Sequence, residues 1–90
     1  MYRVTLSASN IDLAVGLEAA ADIEREFRDH RDWHQDVRCV LEGTTLVLTA
    51  VNDFDEDGRA LLDEFGDCLV AYLSPNDGDL RIVSVEVLAE

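Results

Sequence analysis

Apolar and polar residues alternate over positions 2–8, with Tyr2, Val4, Leu6 and Ala8 on one side. A period of two marks a half-buried strand. Ser9 and Asn10 follow, both able to cap a helix, and the period then lengthens. Leu13, Gly16, Leu17, Ala20, Ile23 and Phe27 fall on one stripe, which predicts a helix over 11–31. Its other face sets Asp22 beside Arg25, Glu24 beside Arg28 and Arg25 beside Asp29, at spacings that bring opposite charges together. Such a helix is about 33 Å long against about 23 Å for the first strand. Its last turn, with Trp33 beyond, should project past the sheet or bend over its end.

Two further strands are expected at 37–42 and 45–51, joined tightly through Gly43 and Thr44. The first of these carries Arg38 and Glu42 outward, as an exposed edge does. The second is apolar on both sides: Val47 and Val51 on one, Leu46, Leu48 and Ala50 on the other. That pattern suits a central strand. A second helix is predicted over 54–73 from Phe54, Gly58, Leu61, Leu62, Phe65, Cys68, Leu69 and Tyr72, then a loop by composition over 74–79. A last strand over 80–88 places Val83, Val85 and Val87 on one face.

The order is βαββαβ. It resembles the split βαβ, or ferredoxin-like, arrangement: an α+β domain with a four-stranded antiparallel sheet and two helices on one face. Right-handed crossovers put the first and third strands at its centre. The 90 residues suffice for a single domain over 1–90. Many unrelated functions share this fold, so it assigns none.

Charge narrows the partners. Twenty acidic residues face seven basic ones, all Arg, for a formal net charge of −13. Phosphate backbones and anionic lipid surfaces would repel such a chain, so neither nucleic acid nor membrane is an expected partner. The asymmetry is local: the net is −4 over 1–45 and −9 over 46–90. Adaptation to high salt, a surface meeting a basic protein, and compositional bias all account for the acidity. Cys39 and Cys68 lie far apart within apolar stretches and read as buried, reduced thiols of a soluble cytoplasmic protein. No apolar run is long enough to span a bilayer, and no secretory signal opens the chain.

The sharpest motif is Asp53-Phe54-Asp55-Glu56-Asp57-Gly58, with Glu64 six residues later. Over twelve residues it resembles the calcium loop of an EF-hand, which implies Asp53, Asp55, Asp57 and Glu64 as oxygen ligands and Gly58 as the sharp turn. It departs from that family in following a strand, in carrying Ala60 at the eighth position, and in lacking a partner loop. The same residues make a helix start, with Asp53 as N-cap and Glu56 completing a capping box. On that reading the chain takes no cofactor, calcium included.

His30 and His34, four residues apart near Asp29, are too few ligands for zinc. Trp33 reads as a packing anchor. No phosphate loop, nucleophile elbow or closely spaced cysteine pair is present, so no catalytic residue is expected. Two surfaces remain. Glu56, Asp63, Glu64 and Asp67 share the solvent side of the second helix with Arg59 as their local counter-charge, which suits docking of a basic partner. Val40, Leu46, Leu48, Ile82 and Leu88 are expected on the open face of the sheet, where an apolar patch would favour a homodimer. The expected function is therefore a non-enzymatic, inhibitor- or immunity-like interaction module. A small-ligand or calcium-binding regulatory domain is the alternative.

Overall fold

A computed structural model describes residues 1–72 and 80–88, the side chain of Tyr72 excepted. The strands are β1 (Tyr2–Ala8), β2 (Gln35–Glu42), β3 (Thr45–Asn52) and β4 (Leu80–Val87). The helices are α1 (Leu13–His30) and α2 (Arg59–Tyr72). The sheet runs β2-β3-β1-β4 with every neighbouring pair antiparallel. This is the α+β, split βαβ arrangement that the element order implies. The expected loop over 74–79 and the end of the second helix at Leu73 lie outside the described residues.

The core forms where the helices meet the sheet. β1 contributes Val4, Leu6 and Ala8, α1 contributes Ile23 and Phe27, and α2 contributes Leu61, Phe65 and Cys68. β1 also decides which side of β3 is buried. Residues directly opposite in an antiparallel pair share a face, and Leu6 lies opposite Leu48 while Ala8 lies opposite Leu46.

Leu46 and Leu48 are therefore 0 % exposed beneath the helices, not on the open face. Ile82, opposite Leu6, also packs against the core. Of the five residues expected to form an apolar patch, Val40 is exposed, opposite Val47. Leu88 is half-buried beyond the strand, its N–H donating to the Met1 carbonyl (2.9 Å). The open face instead mixes Arg3, Thr5, Ser7, Thr45, Val47, Thr49 and Arg38. Val40, Val47 and Val51 share this face, so among the paired residues its apolar content is three valines and not the expected Leu46, Leu48 and Ile82.

α1 also starts later than its capping residues suggest. Asn10 takes a left-handed φ of 60°, and Asp12 caps the helix by accepting from the Ala14 N–H (2.9 Å). The buried stripe is Gly16, Ala19, Ala20, Ile23 and Phe27, while Leu13 and Leu17 are 59 % and 71 % exposed. Small residues face inward because the helix lies close over β2. A Cβ on Gly16 would sit 2.8 Å from Leu41 Cδ2.

β2 begins two residues before the expected 37, through an irregularity between Gln35 and Arg38 where Asp36 adopts a φ of 49°. α2 begins at Arg59, not 54, because residues 53–58 are spent on turns.

Candidate functional site

The loop joining α1 to β2 and the loop joining β3 to α2 meet at one end of the molecule. Glu64 on α2 is their common acceptor. Its Oε1 accepts from Arg31 Nη1 (3.2 Å) and from the Trp33 indole N–H (3.1 Å); its Oε2 accepts from His34 Nε2 (2.5 Å). The His34 side chain is 0 % exposed. Its ring lies 5.7, 6.1 and 5.8 Å, centroid to centroid, from Phe27, Trp33 and Phe54.

Asn52 settles the His34 tautomer. Its Oδ1 already accepts from the backbone N–H groups of Phe54 (3.1 Å) and Asp55 (2.8 Å). Its Nδ2 must therefore face His34 Nδ1, 3.2 Å away, and donate to it. Nδ1 is the bare acceptor and Nε2 carries the hydrogen that Glu64 receives. Both nitrogens are occupied within the chain. The arrangement works as a buried staple between the two loops.

Glu64 consequently leaves both of its expected roles. It is neither a free calcium ligand nor part of an exposed acidic face; it is largely buried against three donors. Asp55 is also redirected. It is buried, with Oδ1 accepting from the Ala60 N–H and Oδ2 from the Leu61 N–H, each at 3.0 Å. Asp57 accepts from the Arg59 N–H (3.0 Å).

Helix capping is thus carried by Asp55 and Asp57, not by Asp53 with Glu56, both of which are exposed. Gly58 serves the same start, with a φ of 79° and Val4 Cγ1 only 3.1 Å from where a Cβ would stand. Among the described residues no three His, Cys, Asp or Glu side chains are grouped as metal ligands. His30 lies exposed near Glu26 (3.9 Å), apart from the buried His34.

Beside the staple lies a cleft of about 440 Å³ lined by Glu24, Arg28, Asp32, His34, Asp36, Val37 and Arg38. Glu24 is committed there. One oxygen accepts from Arg28 (2.9 Å) and the other from the Cys39 backbone N–H (2.9 Å). Arg38 makes no ion pair among the described residues.

Both thiols are free and buried. Burial, then the Glu24 carboxylate and Cys68, push the Cys39 thiol from 9.0 up to about 12. Burial also raises Cys68, against the opposing pull of the Arg31 charge. The folded chain keeps the Cys39 proton where the unfolded chain releases it. This contribution to stability is whole below pH 9 and is lost as pH climbs towards 12, by at most about 1.4 kcal/mol per pH unit. Urea unfolding between about pH 8 and 11 should therefore fall more steeply for the native chain than for Cys39→Ala. Parallel slopes would show that the thiol titrates normally.

Asp63 and Asp67 stand one turn apart, exposed on α2, and Glu56 is exposed in the loop before it. Sequence patterns foresee these three but not the staple. Arg31, Trp33 and His34 are some 30 residues from Glu64, and no local spacing links them. The available hint is Asn52, a polar residue ending an apolar strand.

Fold and site together define an acidic α+β domain in which Glu64, His34 and Asn52 tie two loops together, with Arg31 Nε left buried without a hydrogen-bond partner. No helix among its described residues is long and apolar enough to cross a membrane. In comparisons with known proteins, no family model and no curated protein matches the chain.

Proposed function

We propose that the chain is a non-enzymatic acidic interaction module of the cytoplasm, inhibitor- or immunity-like, that engages a basic protein partner through the exposed carboxylates of α2. The exposed, unpaired Asp63 and Asp67 of α2 carry the reading, although α1, which pairs Asp22 and Glu24, likewise leaves Glu18 and Asp29 exposed without an ion pair among the described residues. On α1, Arg25 lies 3.6 Å from Asp22 and Arg28 lies 2.9 Å from Glu24. On α2, Asp63 and Asp67 have no ion pair among the described residues, and Arg59 is drawn to Asp57 (3.7 Å). Uncompensated charge on a rigid helix raises the capture rate of an oppositely charged protein.

The test uses a poly-arginine peptide as probe. Asp63→Lys with Asp67→Lys should weaken its binding at least about tenfold at low salt. The same net charge change made at exposed Asp29 and Asp32 should weaken it by less than about threefold. Equal losses at both places would mean that bulk charge alone acts, and the reading would fail.

The second reading, a small-ligand domain, is favoured by the cleft. Its volume falls in the usual ligand range of roughly 300–1,000 Å³. Arg38 stands in its wall as an unpaired cation, with Asp32 and Asp36 nearby.

A further inference from the structure

The sheet has two outer edges, and they are built differently. The β2 edge is closed by its own chain. Glu24 reaches down from α1 to take the Cys39 N–H, the strand is broken by its irregularity at Asp36, and Asp36, Arg38 and Glu42 are exposed along it. Charges and irregularities of this kind blunt an edge against further pairing.

The β4 edge also carries an irregularity, at Val83, and exposed charges, at Arg81 and Glu86, but these are placed so that the edge is complementary to itself. Seven of its eight residues pair with β1, and it pairs with no other described strand. Leu80–Val87 holds no Gly, Pro, Lys or Asp, and Val83 and Val87 are 57 % and 76 % exposed.

We propose that β4 pairs with β4 of a second copy of this chain, antiparallel, to give a continuous eight-stranded sheet. A self-pairing edge must be isologous, so each residue opposite another is matched by the reverse contact. The only charges on β4 are Arg81 and Glu86. A two-fold axis between Val83 and Ser84 sets Arg81 opposite Glu86 of the partner subunit, twice, and Ile82 opposite Val85 of the partner subunit. Axes through Arg81 or Glu86 would instead oppose like charges.

The bulge in β4 makes this register possible. Residues five apart on a regular strand point to opposite faces. Here Ser84 lies opposite Thr5 but Ile82 opposite Leu6, so Val83 is an extra residue. Arg81, opposite Ser7, and Glu86, opposite Arg3, therefore share the open face. Glu86 already accepts from its own Arg3 (3.1 Å), and a carboxylate can take a second guanidinium on its other side. The inference is independent of the partner proposed for α2.

Sedimentation equilibrium tests it. Each copy carries −13, so association should strengthen from about 0.05 to 0.3 M NaCl as the mutual repulsion is screened. At the higher salt, Arg81→Glu and Glu86→Arg should each weaken it about tenfold, and R81E/E86R should restore it to within about twofold. Glu86→Arg is the decisive single change. It makes each chain less negative, so bulk repulsion alone would have it strengthen the dimer. Amide exchange should slow with protein concentration in β4 and not in β2.

Tighter association in Glu86→Arg would overturn the proposal. So would no recovery in the double variant, concentration-dependent protection in β2, or a chain that stays monomeric to about 1 mM.

Discussion

Glu64→Ala is expected to lower the unfolding free energy by about 3 kcal/mol or more, the usual cost of removing one partner of a buried charged pair. The loss leaves three donors without an acceptor: Arg31 and Trp33 at Oε1 and the fully buried His34 at Oε2. His34 would still be held at Nδ1 by Asn52 but would bury an unsatisfied N–H. Set against a typical domain stability of about 5–15 kcal/mol, this is a large fraction. It corresponds to a melting temperature lower by at least about 12 °C. Asp63→Ala, one residue away but exposed, should change stability by no more than about 0.5 kcal/mol. Urea unfolding of both variants checks the pair. Equal small effects would place Glu64 back on the solvent face and dissolve the staple.

Asp55→Ala is expected to cost about 2 kcal/mol, since its carboxylate holds the Ala60 and Leu61 N–H groups that open α2. The same variant separates the two meanings of the acidic loop. A capping carboxylate stabilises the chain whether or not calcium is present, so the loss should be identical in chelator and in millimolar calcium. A calcium ligand would leave the metal-free stability nearly intact and abolish a stabilisation that grows with calcium concentration. Thermal unfolding of both proteins under both conditions reads the difference.

The acidic loop shows how a local pattern can be right about composition and silent about partners. Asp53, Asp55, Asp57 and Gly58 meet the spacing of a metal loop and of a helix start equally well. Only the direction of the Asp55 side chain, inward to α2's first amides, separates them. The second helix poses the same problem. Glu64 and Asp63 are adjacent acids in sequence, yet one is stapled to His34 and the other is exposed. β3 is the clearest case. With apolar residues on both of its faces, periodicity offers two equivalent ways to bury it. Pairing with β1, whose single apolar face leaves no choice, selects Leu46 and Leu48.

Alternation in β1, the helical spacing of Ile23 with Phe27, the Gly43–Thr44 connection and the excess of carboxylates were enough to determine the element order, the antiparallel α+β architecture and the sign of the surface. Each of these rests on neighbours within a few positions along the chain. Tertiary structure alone decided which side of β3 meets the helices, which leucines of α1 stay in water, and that Glu64 answers to residues some thirty positions away. Those outcomes depend on contacts between distant segments, and such contacts exist only once the sheet has brought the two loops to the same end.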